Sequence, residues 1–116
     1  MPIALLLAML IAPDGLAADR SVLGNASGYF RGGDYPAESV HLREEGLVAF
    51  RLLLDTAGRV AGCTILQSSG FERLDTATCR IATDRMRFAP ALDRLGQPTH
   101  GTFDFRVTWK LGPNHK

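Results

Sequence analysis

Two cysteines, Cys63 and Cys79, are the side chains of this 116-residue chain best suited to chemistry. They lie sixteen positions apart, whereas zinc motifs use tight paired spacing that lets one turn present two ligands. The sequence also lacks a redox Cys-x-x-Cys motif. In an oxidising compartment an even cysteine count favours a disulfide, which here would join a strand to a helix. Two free thiols, buried as small hydrophobic groups, are the alternative.

Catalytic arrangements are poorly supported by the remaining polar residues. A hydrolase would need a nucleophile such as Ser68 or Ser69 beside a base such as His100, but no Gly-x-Ser-x-Gly elbow is present. Ser68-Ser69-Gly70 is better explained as a turn, and Ser69 with Glu72 has the spacing of a helix capping box. No glycine-rich phosphate loop joins a strand to a helix. We therefore expect no enzyme activity, no cofactor and no metal site.

The order of the secondary-structure elements can be predicted from hydrophobic periodicity and turn residues. Pro36 is well placed to open a short helix, and Asp55 with Gly58 supplies a turn between two alternating segments. The pattern predicts, in order, a helix over 37–44, strands over 46–55 and 59–67, a helix after Ser69 that Pro90 stops, a polar loop over 93–99 and a strand over 102–111. This order, α-β-β-α-β, favours an α+β fold with two helices on one face of a three-stranded antiparallel sheet.

Alternation also predicts which residues form the core. The expected core positions are Val48, Phe50, Leu52 and Leu54 on the first strand, Leu74, Ala77, Ile81, Ala82 and Phe88 on the second helix, and Phe103, Phe105, Val107 and Trp109 on the last strand. Glu44 and Glu45 end the first helix, where paired carboxylates are most often solvated. We expect both to lie on the surface.

The first eighteen residues resemble a secretory signal peptide, with an apolar run that is followed by Pro13 and Gly15 and by small residues up to Ala18. Ten apolar residues span about 15 Å as a helix, about half of a bilayer core. No Lys or Arg precedes the run, so an uncleaved short anchor and a buried helix of a cytosolic protein remain alternatives. We expect a signal peptide over 1–18, a flexible glycine-rich leader over 19–34, a domain over 35–111 and a tail over 112–116.

The charge balance argues against a nucleic-acid partner. Cleavage after residue 18 would remove one acidic residue, Asp14, and leave 13 basic and 11 acidic residues. No block of like charges and no basic stripe interleaved with aromatic residues is present.

A series of short local signals, in order along residues 35–111, resembles the C-terminal domain of the TonB energy-transducer family. The signals are Tyr35-Pro36-Ala37, Leu42-Arg43, Glu45-Gly46, Asp55, Gly58-Arg59-Val60, Ile65-Leu66, Ser68-Ser69-Gly70, Leu74-Asp75 and Arg87-Phe88-Ala89-Pro90-Ala91. The resemblance implies the same α+β fold and a location in the periplasm of a Gram-negative bacterium. The two cysteines depart from the aliphatic residues of well-studied members and indicate a disulfide-bearing branch.

The resemblance also implies how the domain recognises a partner. Members of this family grip a short N-terminal segment of outer-membrane receptors at a sheet edge, and an edge strand can accept an added strand through its unpaired backbone groups. The implied contacts are Tyr35, Thr102, Asp104, Arg106, Thr108 and Lys110, which are otherwise ordinary solvent-facing residues. A TonB-dependent receptor or another envelope protein is the expected partner. The same edge could instead pair with a second copy to give a homodimer.

Two functions therefore stay open. A full energy transducer, as the family is understood, has a membrane helix and a long proline-rich spacer, and residues 19–34 reach at most about 50 Å when fully extended. We expect a freestanding soluble periplasmic module that binds an extended peptide. The alternative is a component of energy transduction for outer-membrane transport, which would contact the membrane only through an uncleaved N-terminus.

Overall fold

The computed structural model describes residues 24–112, so the predicted signal peptide and most of the predicted tail lie outside the described residues. The elements are β1 (Gly24–Asn25), α1 (Ala37–His41), β2 (Gly46–Leu54), β3 (Val60–Gln67), α2 (Glu72–Arg85), β4 (Ala91–Leu92), β5 (Pro98–Thr99) and β6 (Gly101–Trp109). Two single 3₁₀ turns, Ser27–Tyr29 and Gly32–Asp34, lie between β1 and α1. Within the described residues no helix is long and apolar enough to cross a membrane.

The predicted α+β class is confirmed, with one addition to the sheet. The main sheet has four strands in the order β1-β6-β2-β3, and β1 runs parallel to β6 while the other pairs are antiparallel. The expectation of three antiparallel strands missed β1, because a two-residue strand is too short to show alternation. From Gly24 to Asp34 the stretch predicted as a flexible leader forms this strand and the two 3₁₀ turns, which differs from that expectation.

The core lies between the sheet and α2, as the alternation predicts. The side chains of Val48, Phe50, Leu52 and Leu54 are buried together with Leu74, Ala77, Ile81 and Ala82 of the helix. Three predicted core residues differ from this pattern: Phe105 is only partly buried, Phe88 is partly buried and lies beyond α2, which ends at Arg85, and Phe103 near the start of β6 stays 45% exposed. Cys63 of β3 and Cys79 of α2 form a disulfide with Cα atoms 5.7 Å apart, which confirms the disulfide and links the two layers covalently.

Both helices differ at their ends from the prediction. α1 ends at His41 instead of residue 44, because Arg43 adopts a left-handed backbone with φ of 56° that cannot continue a helix. At the start of α2, Asp75 accepts hydrogen bonds from the Ser69 backbone N–H at 2.9 Å and the Ser69 hydroxyl at 2.8 Å. The predicted capping box with Glu72 is therefore wrong, because the N-cap of α2 is Phe71, which makes no side-chain cap bond, and Ser69 bonds Asp75 instead of Glu72.

Residues 93–99 were predicted as a polar loop, but only the first five connect two strands, because Pro98–Thr99 forms β5 and pairs with β4 in a small hairpin. Gly96 adopts φ of 80° at its tip, and the Asp93 carboxylate accepts the backbone N–H groups of Leu95 and Gln97. Turn chemistry at Asp and Gly therefore explains why the hairpin forms in a stretch without hydrophobic alternation.

Candidate functional site

The resemblance implies that the last strand forms an open sheet edge, but β1 pairs with part of its outer side, so β6 lies between β1 and β2. Among the described residues, β3 is the edge strand on the opposite side of the sheet. The candidate site is the outer side of β6, where a strand already adds to the sheet. The Ala26 backbone N–H donates to the Arg106 carbonyl oxygen at 2.9 Å, so the backbone polar groups of Arg106 point outward. Alternation along a strand points those of Thr108, two residues on, in the same direction. The register of β1 ends at Arg106. Among the described residues, Thr108 has no strand partner on this side.

β1 fits this edge because its residues are small. Gly24 lies opposite Phe105, and a Cβ atom added to Gly24 would lie 2.7 Å from a carbon of the Phe105 ring. Ala26 follows and is 0% exposed, within the main core cluster. Glycine and alanine therefore let this stretch of backbone approach β6 closely.

The chain then turns away from the edge immediately after Ala26. The Asn25 side-chain oxygen accepts the Ser27 backbone N–H at 2.9 Å and the Ser27 hydroxyl at 2.6 Å, which is a local turn bond. The Ser27–Tyr29 3₁₀ turn follows directly. This departure explains why the pairing of β1 with β6 stops at Arg106.

A cavity of about 180 Å³ lies beside the unpaired end of the edge. It lies between the two 3₁₀ turns and the end of β6, and the residues that line it include Phe30, Arg31, Tyr35, Thr108, Trp109 and Lys110. A strand that continued along β6 past Arg106 would enter this space. The two cationic side chains, Arg31 and Lys110, would face it.

Trp109 makes one wall of the cavity rigid. Its ring packs edge-on against Phe30 at 5.6 Å and Tyr35 at 5.1 Å between ring centroids, and the side chain is 4% exposed. Its indole Nε1–H donates to the Thr78 hydroxyl at 2.9 Å, and that hydroxyl donates to the Leu74 carbonyl at 2.8 Å. The wall is thereby tied to α2.

Tyr35, whose ring packs on Trp109, is also fixed by its hydroxyl group. Its hydroxyl donates a hydrogen bond to the Glu44 carbonyl oxygen. Burial, and then the nearby Glu45 and Glu44 carboxylates, raise the pKa of Tyr35 above its ordinary value of 10. The hydroxyl is therefore protonated at neutral pH and acts as a donor.

An ion pair fixes the segment that carries β1 and the 3₁₀ turns. The Asp34 carboxylate receives two hydrogen bonds of 2.6 Å from the Arg85 guanidinium at the end of α2. It also accepts the Arg31 backbone N–H at 2.6 Å. The hydrogen bonds from Arg85 lower the pKa of Asp34 from 3.8 to about 2, with burial opposing them and the Arg31 N–H adding to them.

The structure brings together three of the six predicted contact residues. Tyr35, Thr108 and Lys110 line the cavity. Thr102 lies at the other end of β6, about 20 Å from Thr108 at 3.3 Å per residue. The Asp104 carboxylate accepts hydrogen bonds of 2.7 and 2.9 Å from the guanidinium of Arg51 on β2.

The sixth residue, Arg106, is half-buried beside β1 and is cross-strand to Ala49. Its backbone takes part in the pairing of β1 with β6. The residues that sequence reasoning missed are Gly24 and Ala26, which occupy the edge. Their small size is the only local signal, and the glycines of this stretch predict a flexible leader instead of a strand.

The expectation that Glu44 is solvated is wrong. Glu44 is 5% exposed and accepts hydrogen bonds from the Ser39 hydroxyl at 2.7 Å and from Arg73 at 2.7 and 3.2 Å. These bonds, Arg73 first, lower the pKa of Glu44 below its ordinary value. Glu45, in contrast, is exposed and accepts the Leu111 backbone N–H at 2.7 Å.

A second, wider hollow of about 530 Å³ lies between α1 and the start of α2. Its lining includes Phe71, Arg80 and the Glu44–Arg73 ion pair. Within residues 24–112 no group of three or more His, Cys, Asp or Glu side chains could hold a metal ion. This hollow offers no strand edge, so the outer edge of β6 is the stronger candidate.

Comparison with protein families matches residues 32–111 to the family described as Gram-negative bacterial TonB protein C-terminal. The chain belongs to this TonB C-terminal family. The resemblance inferred from the short signals is therefore confirmed. Comparisons with curated proteins and with solved structures gave no match.

TonB C-terminal domains form a non-enzymatic protein-interaction family whose members contact outer-membrane receptors. Membership therefore makes this chain a TonB-like module of the Gram-negative cell envelope. The matched residues begin at Gly32, and β1 with the first 3₁₀ turn precedes them. The strand that occupies the edge thus lies outside the family match.

Proposed function

We propose that this TonB-family domain is a periplasmic binding module that captures an extended peptide of an envelope protein on the outer edge of β6. The observation that carries the proposal is the pairing of β1, because the edge already holds a parallel strand through the bond from Ala26 to Arg106. Strand addition supplies affinity through main-chain hydrogen bonds and specificity through alternate side chains. A TonB-dependent outer-membrane receptor is the first candidate partner.

The cavity beside Thr108 supports the same proposal. Its aromatic wall is packed before any ligand arrives, so binding would cost little side-chain ordering. Arg31 and Lys110 lie at this end of the edge, and their charge favours a peptide that carries acidic side chains. No catalytic step is part of this function.

The proposal can be tested with isothermal titration calorimetry. The mature chain is titrated with synthetic peptides that correspond to N-terminal segments of outer-membrane receptors from the same organism. Thr108→Pro removes the outward N–H beside the cavity, and we expect a loss of affinity of about fivefold or more, since one hydrogen bond contributes about 1 kcal/mol or more.

Thr102→Pro is the matched control, because it introduces the same strain on the same edge but outside the cavity. Its affinity should stay within about twofold of the parent. Equal losses in both variants, or none in Thr108→Pro, would contradict docking at this end of β6. Analytical ultracentrifugation tests the competing occupant, since a homodimer through this edge would dissociate as peptide is added.

A further inference from the structure

We infer that the edge of β6 selects parallel peptide strands that carry glycine opposite Phe105 and alanine two residues later, and that β1 holds this place until such a strand displaces it. The inference rests on the proposed function and adds the sequence pattern of the ligand. It follows from the shape of the edge under β1. Three features of that edge carry it.

The first feature is the ring that excludes a side chain. A Cβ atom at Gly24 would lie 2.7 and 2.8 Å from two carbons of the Phe105 ring, distances that side-chain carbons do not adopt. Phe105 has little room to move away, because its ring centroid lies 6.0 Å from that of Phe50 and 5.6 Å from that of Phe88. A ligand residue at this position must therefore be glycine, or it must displace a packed aromatic cluster.

The second feature is the burial of Ala26. Its side chain is 0% exposed and belongs to the main core cluster, while its N–H donates to Arg106 at 2.9 Å. A larger side chain at this position would overpack the core. The residue between the two points away from the core, since Asn25 is exposed, so that ligand position is unrestricted.

The third feature is that β1 is a short occupant. It pairs over two residues before the Asn25 turn directs the chain away, and so it leaves Thr108 without a strand partner among the described residues. A ligand that lacks this turn can continue along β6 and add the hydrogen bonds that β1 does not make. Displacement is thereby favoured, although the occupied fraction lowers the apparent affinity of any ligand.

The probe is an acetylated and amidated peptide, Thr-Val-Gly-Thr-Ala-Thr-Val-Thr, which keeps the glycine and alanine positions and replaces the asparagine that turns the chain. A matched peptide carries valine in place of glycine. We expect the glycine peptide to bind the parent chain at least tenfold more tightly than the valine peptide by calorimetry. A version of the peptide that carries a nitroxide in place of the acetyl group should broaden the Phe103 amide more than the Lys110 amide, as a parallel strand requires.

Gly24→Val tests displacement, because its side chain would clash with Phe105 and force β1 from the edge while every residue of β6 stays unchanged. We expect the glycine peptide to bind this variant at least tenfold more tightly than the parent. Gly28→Val is the matched control, since no atom lies within 4 Å of its added Cβ, and its affinity should equal that of the parent. Ala26→Pro, which deletes the N–H that bonds Arg106, is the second variant if Gly24→Val fails to fold.

The outcomes separate the two proposals. Equal binding of the glycine and valine peptides would overturn the selectivity but leave strand capture intact. Unchanged affinity in both the Gly24→Val and the Ala26→Pro variants would overturn displacement. If receptor peptides bind the parent while the glycine peptide does not, the inferred ligand pattern is wrong but strand capture by β6 is not contradicted. If no peptide binds any folded variant, strand capture itself fails as well.

Discussion

Removal of the Cys63–Cys79 disulfide should destabilise this domain without altering its edge. The bridge closes a loop of sixteen residues between β3 and α2. In the chain-entropy treatment, a loop of this length restricts the unfolded chain enough to contribute about 3 kcal/mol at 25 °C. Small domains are stabilised by only about 0.05–0.15 kcal/mol per residue in total, so this is a large fraction of the free energy of unfolding. We expect the Cys63→Ala/Cys79→Ala double variant to lose about 3 kcal/mol.

The assay is equilibrium unfolding in urea, followed by the fluorescence of Trp109, the single tryptophan of the chain. This reporter is suitable because its indole is buried against α2 and loses that environment on unfolding. With a denaturant dependence of about 1–2 kcal/mol/M, a loss of 3 kcal/mol moves the midpoint down by about 1.5–3 M. The denaturant dependence of the free energy of unfolding should be larger for the double variant, because its unfolded chain has no cross-link and exposes more surface.

Two controls make the result specific to the bridge. Dithiothreitol should shift the parent chain to the midpoint of the double variant and leave the variant unchanged. Affinity for the glycine peptide should not change, since the bridge joins β3 to α2 and contributes nothing to the edge of β6. A loss of less than 1 kcal/mol, or an effect of dithiothreitol on the double variant, would refute the loop-closure reasoning.

Three further predictions concern single positions. Thr78→Val should cost about 1–3 kcal/mol in urea unfolding, because it leaves the buried Trp109 indole N–H without its acceptor, whereas full stability would show that the hydrogen bond contributes nothing. Gly58→Ala should lower the free energy of unfolding several times more than Gly70→Ala does. Both glycines have positive φ, but only the Cβ added at Gly58 would lie 1.9 Å from a backbone oxygen. Equal losses of about 1 kcal/mol would show that backbone strain is the only cause. The lowered pKa of Asp34 adds stability at neutral pH that is lost as the pH falls from about 4 to about 2. After a discount for solvent screening, we expect this contribution to be about 1 kcal/mol. An Asp34→Asn variant whose urea titrations show the same loss of stability in acid would contradict this prediction.

Local pattern in the sequence determined much of the fold. Alternation over β2 placed Val48, Phe50, Leu52 and Leu54 on the buried face, because a strand with one covered face repeats every two residues. Asp55 and Gly58 fixed the hairpin turn, where Gly58 adopts φ of 81°. The disulfide was also predictable, since the chain holds only two cysteines and the pattern placed them on elements that face each other.

Long-range contacts decided the features that local pattern missed. Glu44 is buried because Arg73, 29 residues later, faces it, and nothing beside Glu44 in the sequence carries that information. The edge strand β1 exists because β6 offers backbone partners to Gly24 and Ala26, not because these residues favour a strand.

The candidate site likewise has features that the sequence implied and others that only the tertiary structure shows. Resemblance to the family implied Tyr35, Thr108 and Lys110 as contacts, and it implied Thr102, Asp104 and Arg106 equally. Only the tertiary structure separates the two groups, because the chain before α1 folds back over one end of β6 and makes a cavity there. Strand period alone assigns a face to each side chain, and the packing of distant segments determines which end of the strand lies beside the cavity.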